Sequence, residues 1–590
     1  MHLLFTRSNA QRITFLLLYL TATHCALPQG PSAELKEADT YYRAGTAALA
    51  RNDLPTALTD FQKVVHLAPK AEQGHSAVGA VLVRMGRTAE GIRELETALS
   101  ILPSDSSAQM NLALTLEQNG QPAKALPFFS KLNASAHAEK RSLALPLLLS
   151  YVRALAATKQ FHEATKEMKE AVERNPNNAE LQDELGSLYA QQQDWPDAEH
   201  VFSLVVESRP EYAIAHLHLG LALQAENKAG SLDELAKAYQ LAPTSSMIAL
   251  QFGTSLAKAD QDEQALPVLK HAMELNPASV EVGYQLALVL QRTGQLDEAI
   301  ALLRKAASVS PQNIEIQINL GMALCQAQKA KDAVPILQRA VESAPESPTA
   351  HQDLAVAYIQ LNQIDDAITQ LRLALKLLPD APQLHYNLGL ALKMQDDAVG
   401  AIPELEKAQS LNPNAPEPAY ILGVLYMQVG RYLDAARELN LSLKLRPENG
   451  DGWATLGSVY NKLDQLPEAA SALAEAIRQL PQQPDPHLTL AAVLVKQNNA
   501  TEAVQERKKA ADLMRTSMNH QRAEVATNSA NAQLKSGHVD EAIAQLREAI
   551  SYDAGYAEAH LGLASALDRQ GKSVEAAAER HKADQLQSRP

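Results

Sequence analysis

The chain is 590 residues long and carries 53 Lys and Arg against 68 Asp and Glu, a formal net charge of −15. Binding to nucleic acid rests on basic side chains neutralising phosphates, so this balance disfavours nucleic acid as a partner. Aromatic residues make up only 4% of the chain, and the packing of any core must therefore rest on Leu, Ala and Val.

Residues 1–27 have the layout of a secretory signal peptide. "MHLLFTRSNAQR" is basic through Arg7 and Arg12, "ITFLLLYLTA" is an apolar run too short to span a bilayer comfortably, and small residues follow in "TATHCA". The following "LPQGPS" breaks any helix that would continue from this run. The expectation is an exported protein, periplasmic or envelope-associated, with residues 28–37 as a short linker. Secretion and a lipid anchor through Cys25 are the alternatives, although His24 is bulky where lipoprotein signals want a small residue. No other stretch is apolar for long enough to cross a membrane, so no transmembrane span is expected once the signal is removed. Cys325 then stands alone, which excludes an intramolecular disulfide.

From residue 38 onward the chain is periodic. Repeats begin near 38, 72, 106, 145, 179, 213, 246, 280, 314, 348, 382, 416, 450, 484, 523 and 557, sixteen in all. Between 246 and 481 the period is 34 residues without drift. A small residue holds place eight (Gly253, Ala287, Gly321, Ala355, Gly389, Gly423, Gly457), an alanine place twenty (Ala265 through Ala469) and a proline place thirty-two (Pro277 through Pro481). Within the repeat at 280, Tyr284, Leu286, Leu288 and Leu290 lie in one helical segment and Gly294 follows it. A second segment opens on Asp297 and Glu298, which suit a helix N-terminus, and spaces Ala299, Ile300, Leu302, Leu303 and Ala306 helically before Pro311 stops it. Each repeat thus reads as two antiparallel helices, A and B, which cannot bury their apolar faces alone and must stack.

The register slips twice by five residues, at 133–142 and near 515–522. The first is expected to be a longer loop or an extended helix, the second an exposed connection, since no proline closes the repeat there. The resulting division is 38–144 for three repeats and an irregular connection, 145–522 for repeats four to fourteen, and 523–590 for the last two with a C-terminal cap. Arg580 stands where other repeats bury Leu or Phe, and a polar outer face is what a terminal helix of a stack needs.

The pattern Leu286, Ala287, Leu290, Ala299, Leu303, Ala306 and Pro311 resembles the tetratricopeptide repeat, and Trp453, Leu456, Gly457, Tyr460, Ala469, Leu473, Ala476 and Pro481 match its consensus more closely still. The resemblance covers about residues 38 to 590 and leaves no separate catalytic domain. It implies an all-α, right-handed α-solenoid superhelix, continuous along the chain, with one face of the A helices lining its concave side. Places five and nine lie on that face: Tyr284 and Leu288, Ile318 and Met322, Gln352 and Val356, Tyr386 and Leu390, Tyr420 and Val424. This Tyr-studded apolar stripe suits a protein or peptide partner, because Tyr combines contact area with a polar tip. Packing against the neighbouring A helix is the competing reading of the same residues. Some relatives hold a partner's backbone with asparagines at place six, where Asn111, Asn319 and Asn387 match and the ladder is otherwise broken. The Lys/Asn set with which other relatives clamp a C-terminal carboxylate is not present as a set.

No glycine-rich phosphate loop, paired-Cys motif or His-Glu-x-x-His is found, and no cofactor, metal or catalytic group is expected. "GHSAVGA" at 74–80 resembles a nucleophile elbow only faintly, with no strand before it. His75, His216, His351, His385, His487 and His560 recur at place four, yet adjacent repeats hold them a helix-packing distance apart, about 8–10 Å, too far to share a metal. They are expected to be structural. The expectation is a non-enzymatic scaffold in envelope assembly or export, the alternative a recruiting or regulatory subunit whose catalytic site lies on another chain.

Overall fold

The computed structural model describes residues 33–588 as 31 helices, with no strand among the described residues. They form two compact bodies, one ending at Gln295 and one beginning at Leu296. Within each, A and B helices alternate at the expected places. In the C-terminal body, for example, Ile314–Gln326 is followed by Ala330–Ser343, and Pro348–Gln360 by Ile364–Leu377. The N-terminal body repeats the scheme from Ala33–Ala50 to Val280–Arg292.

The local causes of these boundaries lie in the side chains. The first amides of a helix have no partner within it, and short polar residues supply one: Asn313 accepts from the Ile316 N–H at 3.2 Å, Ser347 from Ala350 at 3.2 Å and Asn449 from Gly452 at 3.0 Å. The chain leaves helix A through a left-handed residue, Gly430 at φ +79° in one repeat and Asp464 at φ +59° in the next. Proline at the first helical position, as at Pro348, Pro382 and Pro416, removes an amide that has no partner there anyway.

Close approach holds the two helices of a repeat together. A Cβ added to Gly321 would lie 2.4 Å from the Leu337 side chain, and one added to Gly457 would lie 2.5 Å from Leu473. The leucine at place twenty-four fills the space that glycine leaves at place eight, and Leu337, Leu405, Leu439 and Leu473 are all completely buried. In the N-terminal body Phe61 and Phe202 fill the same space opposite Gly45 and Gly186.

Three expectations about connections need revision or extension. Residues 1–27, read as a signal, and residues 28–32 of the linker lie outside the described residues, while 33–37 are helical, part of Ala33–Ala50. The first slip combines both readings offered for it: helix Pro122–Ala138 runs on past its normal end, and residues 139–144 then form a connection before Leu145–Ala157. The second slip is not a loop. Ala500–Lys535 is one helix of 36 residues, serving first as a B helix and then as the A helix of the repeat at 523. It contains neither Gly nor Pro, so nothing in its sequence stops propagation, and the five extra residues are absorbed as additional turns. The last described helix, Ser573–Gln587, buries only Ala576 and Ala583 and leaves Arg580 exposed.

Trypsin is expected to cleave first at Lys140 or Arg141, in the 139–144 connection, and only later at Arg515 and Arg522, whose backbone is helical. Mass spectrometry of the early fragments checks this order. Placing Pro at Ser517 should cost about 3 kcal/mol or more by breaking the long helix, a loss read from denaturant unfolding.

Candidate protein-binding face

Many repeats are tied to the one before through a polar side chain at place four, although Leu148, Ala249, Gly283, Ala419 and Ala526 hold that place elsewhere. His351 donates through Nδ1 to Gln370 Oε1 at 2.6 Å, while its Nε2 meets the carbonyl of Pro345 at 3.1 Å. His385 joins Glu404 at 2.6 Å and the Pro379 carbonyl at 2.9 Å, and His216 joins Glu234 and Pro210 in the same way. His75 and His560 do likewise, with Glu94 and Pro69, and with Glu579 and Ala554. Trp and Gln at place four make the same reach: the Trp453 Nε1–H donates to Pro447 at 2.8 Å, and Gln109 and Gln182 donate to Pro103 and Pro176. The carbonyl that closes one repeat thus receives its hydrogen bond from the next. His75, His216, His351, His385 and His560 clamp one repeat to the next with both ring nitrogens, while His487 joins Glu506 through Nδ1. Ser76, the serine of "GHSAVGA", is buried within helix Glu72–Arg84.

The co-pattern is visible in sequence. Opposite each place-four histidine, in the following B helix, stands Glu or Gln: Glu94, Glu234, Gln370, Glu404, Glu506 and Glu579. Opposite Trp453, Gln109, Gln182 and Gln317 stand Ala472, Phe128, Val201 and Ile336. Burial would raise the carboxyl of Glu506, but hydrogen bonds from Lys509 and His487 hold it below its ordinary value, and Lys582 and His560 do the same for Glu579.

The stripe at places five and nine sits differently. In the C-terminal body Ile318, Met322, Gln352, Val356, Tyr386, Leu390, Tyr420 and Val424 are all half-buried, while their neighbours Leu320, Leu354, Leu388 and Leu422 at place seven are fully buried. Asn319 and Asn387 are half-buried too, the first donating to the Glu315 carbonyl and the second accepting from Gln383. Tyr284, in the N-terminal body, departs from its expected groove position: it is buried to 8% exposure and belongs to the core of its helix, while Leu288 one turn on remains half-buried. Burial, aided by the charge of Glu417, raises the Tyr386 phenol above its usual range, and burial does the same for Tyr420.

Part of the stripe closes round a hollow of about 340 Å³ between the A helices starting at Ile314, Pro348 and Pro382. Met322, Gln352, Val356 and Asn387 line it, joined by Cys325 and Asp353. Ile318, Asn319, Tyr386, Leu390, Tyr420 and Val424 are not among its lining residues. Sequence reasoning missed Asp353. It occupies place six between Asn319 and Asn387, so the break in the asparagine ladder is an acid, and that substitution was the available signal. Its carboxyl is 6% exposed, Oδ2 has no hydrogen-bond partner, and burial pushes its pKa up to about 7. Burial together with this neighbouring carboxyl pushes the free Cys325 thiol up to about 12, which makes it an inert packing residue at ordinary pH.

A stack of antiparallel helix pairs with small residues at the A–B contact and a half-buried stripe on its A helices defines a helical-repeat binding protein. Family models support the particular repeat. Two tetratricopeptide-repeat models match, one over residues 256–323 and the other over 79–138, 151–204, 184–246 and 527–584. The cilia and flagella-associated protein 70 C-terminal domain model matches residues 313–527. The chain is built of tetratricopeptide repeats.

Among solved structures, Cut9 in the anaphase-promoting-complex hetero-tetramer Cut9–Hcn1 is 17% identical, with 91% of this chain and 97% of that one covered and a TM-score of 0.37. MamA MSR-1 is 28% identical over 28% of this chain and 97% of its own, with a TM-score of 0.26, and MamA AMB-1 is 28% identical over 28% and 99%, also at 0.26. No curated protein matches significantly.

Replacing His351 with Ala strands the Pro345 carbonyl and the Gln370 amide and should cost about 1–3 kcal/mol in denaturant unfolding. His351→Trp should recover part of that loss, since Trp453 makes the equivalent bond. Asp353 generates a pH prediction. Its folded pKa lies above the unfolded value near 3.8, so the folded state holds the extra proton between the two. Stability contributed through this group is therefore full below about pH 4 and falls as pH rises to about 7, by about 1.4 kcal/mol per unit. The difference in unfolding free energy between wild type and Asp353→Asn, followed across that window, should shrink the advantage of wild type steadily with rising pH.

Proposed function

We propose that this chain is a non-enzymatic scaffold that binds one or more proteins, or an extended segment of one, along the face formed by places five and nine of its A helices. One observation carries the reading. Four consecutive repeats leave Ile318, Met322, Gln352, Val356, Tyr386, Leu390, Tyr420 and Val424 half-buried beside completely packed neighbours, an apolar row with two tyrosines that the fold itself does not consume. Exposed rows of this composition mark protein-binding surfaces. By resemblance the same face is the concave one in tetratricopeptide-repeat proteins. Among the described residues no helix is long and apolar enough to cross a membrane, and no group of His, Cys, Asp and Glu is arranged to hold a metal.

The finer part of the proposal is place and pathway. The basic start, apolar run and break at Pro28 support export, and an exported array of this kind suits envelope assembly or export machinery. N-terminal sequencing of the protein from its native cells tests this, an intact Met1 in a soluble cytoplasmic pool counting against it. A second reading, the recruiting arm of an enzyme whose catalytic site lies on another chain, uses the same face.

Tyr386→Ala should shift the thermal midpoint little while weakening capture of the native partner by about ten-fold or more, the loss expected of an interface tyrosine. Leu388→Ala, at 3% exposure in the same helix, should cost about 2–5 kcal/mol of stability instead. Equal destabilisation by the two substitutions would make the stripe core.

A further inference from the structure

The hollow between the helices starting at Ile314, Pro348 and Pro382 contains a group that neither the fold nor the repeat pattern explains. Burying a carboxyl without a partner is costly, and buried polar atoms are normally satisfied. Asp353 is more than nine-tenths buried, lines the hollow and presents Oδ2 without a partner. The equivalent place in the flanking repeats is Asn319 and Asn387, neutral amides that are satisfied within their own helices. The acid is therefore a departure at one position of a line of three.

The surroundings specify what would satisfy it. Met322 and Val356 give the hollow an aliphatic wall, and Gln352 and Asn387 add amides. Besides Asp353, Cys325 is the one titratable lining residue, and it remains a neutral thiol, so no cation of this chain lines the hollow. At about 340 Å³ it lies at the small end of ligand pockets and has room for one long side chain. A compact ammonium, which needs only one carboxylate oxygen, suits a carboxyl this deeply buried better than the wider fork of a guanidinium. Lysine also brings an apolar stem that can lie along Met322 and Val356. The chain's net charge of −15 favours a cationic segment in addition.

We propose that this hollow is a specificity subsite for a lysine ammonium on an extended partner segment, with Asp353 as its counter-ion and Met322 and Val356 holding its stem. The proposal rests on the binding-face reading above and names one contact within it. Burial raises the Asp353 pKa to about 7, so with the hollow empty a share of the carboxyl is protonated at neutral pH; an arriving ammonium stabilises the carboxylate, and the proton leaves to solvent.

End-blocked pentapeptide libraries on an otherwise identical apolar background separate the possibilities, one with lysine fixed at the centre, one with norleucine and one with arginine. Binding to the full-length chain is read by fluorescence anisotropy. Wild type should bind the lysine library about ten-fold more tightly than the norleucine library, the worth of one hydrogen bond to a charged group. Asp353→Asn should erase that preference while binding the norleucine library as wild type does, and Asp365→Asn, an exposed acid on the following B helix, should leave the preference intact. A lysine preference that survives Asp353→Asn, an arginine library that outcompetes lysine, or binding with no lysine preference overturns the ammonium subsite and leaves the binding face standing. Failure of wild type to bind any library overturns both. The wild-type comparison of libraries stands whether or not the variant folds.

Discussion

Everything in this architecture depends on how closely helix A approaches helix B. The Gly321 backbone lies so near Leu337 that even a methyl group would collide, and the same contact recurs at Gly389 with Leu405, Gly423 with Leu439 and Gly457 with Leu473. Dispersion falls steeply with separation, so a small residue at place eight lets one leucine touch a helix backbone over its whole surface. Alanine takes the same place at Ala287 and Ala355, both completely buried. Such a contact makes a pair of helices and nothing more; it supplies neither a second layer nor an order among pairs.

The order comes from a polar bond. In many repeats the carbonyl of the turn after a B helix finds its donor in the side chain at place four of the next A helix, an imidazole, indole or carboxamide. When the donor is histidine, a Glu or Gln on the following B helix takes the other ring nitrogen, and three helices are joined by one side chain. That commitment gives the in-phase histidines other than His487 a structural role at both ring nitrogens. The apolar contact inside a repeat and the polar contact between repeats both use the far side of helix A. Places five and nine are consequently left over, and the half-buried stripe is the remainder of two packing requirements.

Asp353 shows how a binding face acquires chemistry without a change of fold. One carboxyl in place of an asparagine, set where burial keeps it from ionising easily, leaves the helix and its neighbours as they are. A solenoid varies its recognition in this way, because each outward position is under fewer packing constraints than the places between helices.

The sequence by itself determined the repeat, its helix pairs and their small-residue contacts, because these depend on neighbours at fixed separations within one period. It also placed Ile318 through Val424 on one side of helix A, since helical geometry assigns faces without reference to the rest of the fold. Three matters were decided only by tertiary structure. The slip at 515–522 became part of a 36-residue helix rather than a loop, because a stretch without Gly or Pro can be either and only the positions of the repeats on both sides choose. Tyr284 was drawn into the core while Tyr386, at the same place in its repeat, stayed half-buried, a difference set by what packs against each and not by place. Asp353 lost its water to residues from repeats on either side, and a carboxyl's burial is a property of those distant neighbours, which no reading of its own helix contains.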